Sequence, residues 1–139
     1  MGRKRVNDQL AYLIASLNHH LEADLSESLR PSGVPIEQYR ILEVLNAEEP
    51  RSMGELAAGA LIETPTLTKI IDKMTSEGFV YRVPDPNDRR RVLVMTAPAG
   101  KAFYKSVRGA ATAQEKRIVD ALQSDKADKL RDLLRQLLR

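Results

Sequence analysis

Between Ser52 and Met95 the chain reads helix, turn, helix, strand, arginine-rich turn, strand, and no other stretch restricts the fold as much. The decisive segment is Val83-Pro84-Asp85-Pro86-Asn87-Asp88-Arg89-Arg90-Arg91-Val92. Two strand-like runs, Phe79 to Val83 and Arg91 to Met95, enclose a turn from Pro84 to Arg90. Pro and Asn close turns, while β-branched and aromatic residues favour the flanking strands. Three successive guanidinium groups have little reason to lie inside a core. On a protruding hairpin they can meet phosphate oxygens, which a planar forked donor grips well. The alternative is a solvated hairpin whose charges keep an edge strand from aggregating.

The helices around this hairpin follow from residue spacing. Leu10, Leu13, Ile14, Leu17, Leu21, Leu25 and Leu29 recur at helical intervals. They predict one long helix from Asn7 to Arg30, stopped by Pro31-Ser32-Gly33. Pro35 opens a second helix that ends near Ala47, with Tyr39, Ile41, Leu42 and Leu45 as its core contacts. Ser52-Met53-Gly54-Glu55 is a capping box for a third helix: the Ser hydroxyl accepts a backbone N–H and the Glu reaches back to another. Met53, Leu56, Ala57 and Ala60 follow at core spacing, small enough to let a neighbouring helix close in. Thr64-Pro65 opens a fourth helix, with Thr64 expected as N-cap and Pro65 at the first helical position. Leu67, Ile70, Ile71 and Met74 form its apolar stripe, and Glu77-Gly78 ends it. Beyond the hairpin, one helix is expected from Ala99 to Leu122, and Ser124-Asp125 starts a last one carrying Leu130, Leu133, Leu134, Leu137 and Leu138.

The expected class is mainly α with a small β-hairpin wing: a winged helix-turn-helix lobe at 35–98 between helical segments 1–34 and 99–139, with no flexible linker. The leucine-laden terminal helices cannot bury their stripes alone. Their simplest partners are each other and a second copy of the chain, which predicts a homodimer with N- and C-terminal dimerisation helices.

Composition narrows the function. Among 139 residues 42% are hydrophobic, which fits a globular domain rather than a disordered chain. Cysteine is absent, which excludes disulfides, thiolate ligands and a thiol nucleophile. No run reaches the roughly 18 apolar residues of a membrane span. Met1 to Val6 is basic but no long apolar stretch follows, so no signal peptide and a cytoplasmic location are expected. The net charge of +3 says less than its placement: Arg3-Lys4-Arg5 and Arg89-Arg90-Arg91 contain no carboxylate. Glu48-Glu49 is expected to be solvated. There is no Gly-rich phosphate loop, His-based triad pattern or metal-ligand spacing, so no enzyme, cofactor or metal centre is expected.

A major groove admits one helix presenting short polar or basic side chains. On the fourth helix Thr66, Thr68, Lys69 and Lys73 meet that requirement; Thr64 and Pro65 complete the candidate recognition surface at its N-terminus, which offers free N–H groups to a phosphate. Ser52 is a further candidate as a helix cap near a phosphate. In the wing, Arg89, Arg90 and Arg91 suit the negative potential of a narrow minor groove, with Asp88 bracing a guanidinium or the turn. Taken alone, the fourth helix is equally an ordinary amphipathic helix with a solvated face. A winged-helix protein-interaction module and a small-molecule-binding protein without a DNA role are the competing functions.

Ser52 through Gly100 resembles the DNA-binding half of the MarR family of bacterial transcriptional regulators. The resemblance is carried by Val83-Pro84-Asp85-Pro86-Asn87-Asp88-Arg89-Arg90, the strand after it, and Pro98-Ala99-Gly100. Thr64-Pro65-Thr66-Leu67-Thr68-Lys69-Ile70-Ile71-Asp72-Lys73-Met74 and Gln38-Tyr39-Arg40-Ile41-Leu42 are similar to the family's fourth and second helices. The resemblance implies a homodimer with interlocked terminal helices, two recognition helices in successive major grooves of a pseudo-palindrome, and wings in the flanking minor grooves. It also implies a repressor modulated by a small aromatic or phenolic acid. Three positions depart from the family pattern. Thr96-Ala97 stands where Leu-Thr is usual before Pro-Ala-Gly, so the helix there takes its cap from Thr96 or loses it. Leu61-Ile62 stands where Gly is common, and Pro35 replaces a capping Thr.

Tyr12, His19 and Tyr39 are the candidates for an effector cavity. The plainer reading makes the histidine a surface or interface residue and the tyrosines core or interface residues. His19 and His20 are adjacent, point about 100° apart on a helix, and poorly share one metal.

Overall fold

A computed structural model describes residues 8–139. Arg3-Lys4-Arg5 and the helix start expected at Asn7 lie outside the described residues. Helix α1 runs Leu10–Leu29 and tightens into a single 3-10 turn, Arg30–Ser32, where Pro31 cannot continue the ladder. Then follow α2 (Ile36–Ala47), β1 (Arg51–Ser52), α3 (Met53–Ala60), α4 (Thr64–Ser76), β2 (Val80–Asp85), β3 (Asp88–Thr96), α5 (Pro98–Leu122) and α6 (Ser124–Leu137). The three strands form one antiparallel sheet in the order β1-β3-β2. The two-residue β1 was not foreseen; it is too short to show alternation, and it pairs Arg51 with Val94 and Ser52 with Leu93.

Contacts divide the chain into two units, Ser26–Val107 and residues 8–25 with Arg108–Arg139. The first is the winged-helix lobe. Its core joins Ile41, Leu42 and Leu45 of α2, Leu56 and Ala60 of α3, Leu67, Ile71 and Met74 of α4, and Val80 and Val94 of the sheet. Of the α4 stripe, Leu67, Ile71 and Met74 lie fully inside and Ile70 is half-buried at the edge; each fully buried large aliphatic side chain contributes about 1.5–3 kcal/mol. This burial fixes which face of α4 is left for solvent.

The second unit packs parts of α1 and α5 with α6. Asp24 accepts hydrogen bonds from Gln114 Nε2 at 2.9 Å and Arg117 Nη2 at 2.6 Å. Those two donors hold its carboxyl below the usual carboxylate range. Arg131 pairs with Glu115 and, at 2.6 Å, with Asp128. The leucine stripes are only partly covered: Leu10, Leu137 and Leu138 are 70%, 68% and 85% exposed. An open apolar groove of about 350 Å³ is lined by Leu13, Ile14, Leu17, Leu130 and Leu134 among others.

Candidate nucleic-acid interface

The capping box forms as the sequence predicts. Glu55 N donates to Ser52 Oγ and Ser52 N donates to Glu55 Oε1, both at 3.2 Å. Ser52 is therefore the helix cap its sequence predicts; it is buried, with its Oγ accepting the Glu55 N–H, which leaves the hydroxyl little surface for a phosphate.

The turn between α3 and α4 is closed by Leu61, which takes a left-handed conformation (φ 58°, ψ 43°) and is 84% exposed. Its side chain gains nothing from packing there, so the strain is not repaid by burial. Helix α4 starts one residue earlier than expected. The carbonyl of Glu63, not of Thr64, accepts the first helical N–H, from Leu67 at 2.9 Å. Glu63 is thus the N-cap, without a side-chain cap, and Thr64 and Pro65 are the first two helical residues. Pro is still tolerated there because the N–H it lacks has no partner in the first turn.

Thr64, Pro65, Thr66, Thr68, Lys69 and Lys73 all lie exposed on α4. Thr68 Oγ1 donates to the Thr64 carbonyl at 3.1 Å, so toward a base edge this hydroxyl serves as an acceptor. Lys73 makes one long contact, 3.9 Å, to Glu77. Asp72, on the same outer face, is tied to β2 by Arg82 at 2.5 Å, which holds the helix against the wing strand. A cleft of about 250 Å³ beside α4 is lined by Pro35, Glu37, Gln38, Lys69, Ile70 and Lys73.

The wing is tighter than expected. The turn is Pro86-Asn87, not Pro84 to Arg90, because two Asp side chains close it: Asn87 N donates to Asp85 Oδ1 (2.9 Å) and Arg90 N to Asp88 Oδ1 (3.0 Å). Asp88 therefore stabilises the turn backbone. Pro84 is opposite Val92 and Asp85 is opposite Asp88, so residues 89–91 fall in a register break without cross-strand partners. Pro84 has no N–H to give a ladder, and such a break is where proline is tolerated. Arg89, Arg90 and Arg91 are exposed within β3. Arg89 and Arg90 carry no side-chain hydrogen bond or ion pair among the described residues. Arg91 differs: its Nη2 is 2.9 Å from Glu55 Oε1, and its Nε is 4.0 Å from Asp85 Oδ2. Glu55 also receives Arg51 at 3.0 Å. Hydrogen bonds from Ser52, then the Arg51 and Arg91 guanidiniums, lower its pKa to about 2.

Sequence reasoning missed Glu49. Glu48 is exposed as expected, but Glu49 is half-buried: it accepts the Thr96 N–H at 3.0 Å and meets Lys101 Nζ at 3.5 Å. Burial opposes its charge, but the Thr96 and Lys101 interactions prevail and hold its carboxyl below the usual range. The first helical carbonyl of α5 is that of Ala97, which accepts Lys101 N at 3.0 Å. Ala97 has no side-chain acceptor, and Thr96 stands one residue too early to cap. The α2–β1 loop carries the only signal that could have revealed this, a carboxylate next to Pro50, and that signal is weak.

The three effector candidates occupy different surroundings. Tyr39 is buried in the lobe, stacked on Tyr104 at 5.8 Å, and donates its hydroxyl to Glu43 at 2.8 Å. Burial first, then that carboxylate, pushes the phenol well above its ordinary range. Tyr12 and His19 are exposed on α1.

An exposed polar helix face, packed by its reverse side onto a helical scaffold and followed by a hairpin bearing free arginines, defines a winged helix-turn-helix protein. A family model described as MarR family matches residues 32–91. The HTH-type transcriptional regulator ML2140 of Mycobacterium leprae is 34% identical over 104 residues, covering 75% of this chain and 70% of that protein. The chain belongs to the MarR family of transcriptional regulators. With the regulator YcgE of Bacillus subtilis it is 35% identical over 65 residues, 47% of this chain and 42% of that protein. A crystal structure of a mutant MarR from E. coli, complexed with operator DNA, superposes with a TM-score of 0.85 at 25% identity, covering 98% and 100% of the two chains. Among the described residues no helix is long and apolar enough to cross a membrane.

Proposed function

We propose that this chain is a dimeric, sequence-specific DNA-binding repressor whose affinity for DNA is set by a small organic acid. The observation that carries the DNA reading is the pairing of α4's exposed Thr66, Lys69 and Lys73 with the unpartnered Arg89 and Arg90 of the wing. The lysines suit phosphates and guanine acceptors, the threonine suits base edges and thymine methyls, and the two arginines suit a minor groove. The dimer reading is supported by the incompletely covered leucines of α1 and α6, which a second copy would bury. Two such lobes fit a pseudo-palindromic duplex in a cytoplasmic setting. The effector is carried over from the family resemblance alone. Tyr39 enters a ligand site only if its bond to Glu43 is exchanged.

The test is titration of duplex from the chain's own upstream region at several salt concentrations, with wild type and the Arg89→Ala/Arg90→Ala variant. Wild type binds with a steep salt dependence, and the variant flattens the slope of log K against log salt by about 0.9 for each phosphate contact removed. A folded variant with unchanged affinity and slope refutes the wing assignment. Sedimentation of wild type at micromolar concentration as a monomer refutes the dimer.

A further inference from the structure

We propose that Arg91 is a positioning residue and not a third DNA contact: it straps the wing to the start of α3 through Glu55. This rests on the DNA-binding reading above. The wing is weakly held where the arginines sit, because the ladder slips between Pro84 and Asp85 and residues 89–91 lack cross-strand partners. Arg91 supplies what the backbone does not. Its guanidinium bridges back 36 residues to Glu55 at 2.9 Å, with Asp85 at 4.0 Å on the wing itself. The receiving carboxylate is immobilised: Ser52 N holds Oε1 at 3.2 Å and Arg51 Nη1 holds Oε2 at 3.0 Å. Arg51 is fixed in turn by the Glu48 carboxylate at 2.9 Å and the Glu48 carbonyl at 3.0 Å. The wing's base is thereby tied to the helix that precedes the recognition helix, while Arg89 and Arg90 project free. An exposed ion pair adds little to folding stability. Its effect is on binding, because a wing already aimed at the groove spends less binding energy on ordering.

Strap and contact predict opposite outcomes. A contact releases counterions, so its loss flattens the salt slope; loss of a strap lowers affinity at an unchanged slope. The experiment is anisotropy titration of the same duplex from roughly 50 to 200 mM salt. It uses Arg91→Met, Arg91→Lys and Glu55→Gln, with Arg89→Ala as comparison. The strap predicts a several-fold affinity loss for Arg91→Met and Arg91→Lys, with the wild-type slope. Lysine keeps the charge but not the two-armed geometry. It predicts the same loss for Glu55→Gln, whose amide oxygen still accepts the Ser52 N–H. If Arg91 instead touches DNA, Glu55→Gln frees it and binding tightens, Arg91→Lys binds like wild type, and Arg91→Met flattens the slope as Arg89→Ala does. Any of those three results overturns the strap. Wild type that ignores the duplex, or binds it without salt dependence, refutes the DNA-binding reading, which separates the two failures. Melting curves confirm that each variant titrated is folded.

Discussion

Gly100 on the first turn of α5 offers a test in which two effects compete in sign. A Cβ built there lies 2.1 Å from the Phe79 carbonyl oxygen, 2.9 Å from Thr96 Cγ2 and 3.0 Å from the Phe79 carbonyl carbon. The nearest of these is more than 1 Å inside an ordinary carbon–oxygen contact, and it is backbone, so no rotamer change relieves it. Either α5 or the Phe79 peptide moves, and the hydrogen bond from Ala97 N to Phe79 O, now 2.9 Å, goes with it. Overpacking of this kind costs about 1–3 kcal/mol and the hydrogen bond about 1 kcal/mol more. Against this, alanine is favoured over glycine in a helix by about 1 kcal/mol. Steric conflict wins, and Gly100→Ala is expected to destabilise by about 2 kcal/mol. Gly109 is the control: it lies on the same helix, with nothing within 4 Å of its Cβ position. There propensity acts alone, and Gly109→Ala is expected to stabilise by up to about 1 kcal/mol. Urea unfolding at one fixed protomer concentration reads both, since a dimer's midpoint depends on concentration. A Gly100→Ala variant as stable as wild type, or more stable, refutes the close approach of α5 to the Phe79 peptide.

Two further perturbations follow from the turn and the cap. Leu61→Gly relieves a left-handed conformation costing roughly 1–2 kcal/mol, partly offset by glycine's greater freedom when unfolded. A net gain of about 0.5–1 kcal/mol in urea unfolding is expected, and a loss would show that the exposed leucine packs against something in solution. Glu55 has a folded pKa of about 2 against an ordinary value of 4.5. A depressed carboxylate contributes stability that is complete above the unfolded value and disappears as pH falls toward the folded one. Acid titration of stability is therefore expected to be shallower between about pH 4.5 and pH 2 in Glu55→Gln than in wild type, and equal slopes would refute the carboxylate's engagement.

The sequence made the helices and the core of the lobe legible because burial there is periodic and local. Leu67, Ile71 and Met74 repeat at helical spacing and are fully buried, and the capping box Ser52–Glu55 forms within four residues. Strand ends were less legible. The wing's turn is shorter than its composition suggests because Asp85 and Asp88 bond to their own neighbours two residues on, which shortens the loop without changing its composition. Interactions across long sequence separations were not legible at all. Glu55 reads as a cap and nothing more until the fold brings Arg91 to it, and Glu49 reads as one of two loop carboxylates until Thr96 and Lys101 converge on it.

The three departures from the family pattern show how a chain absorbs the loss of a favourable local residue. At Pro35 the second helix has no side-chain cap, as its sequence predicts, and Gln38 N and Tyr39 N both turn to the Pro35 carbonyl, at 3.1 and 3.3 Å. The loss is met locally, by sharing one acceptor between two donors. At Leu61 it is not met: the backbone keeps the left-handed turn that α3 and α4 require and carries the strain. At Ala97 a contact from a distance stands beside the helix start and leaves the first-turn N–H groups without a side-chain cap: Glu49, 47 residues before Thr96, takes the Thr96 N–H and draws Lys101 to the same turn. This contact couples the α2–β1 loop to the start of α5. Substituting Glu49 therefore removes an acceptor from a buried N–H as well as an ion pair, and an unpaired buried donor costs about 1–3 kcal/mol. The loop and the first part of α5, as far as Val107, both belong to the lobe that carries the recognition helix, so the departure at Ala97 makes the start of α5 depend on a carboxylate beside β1.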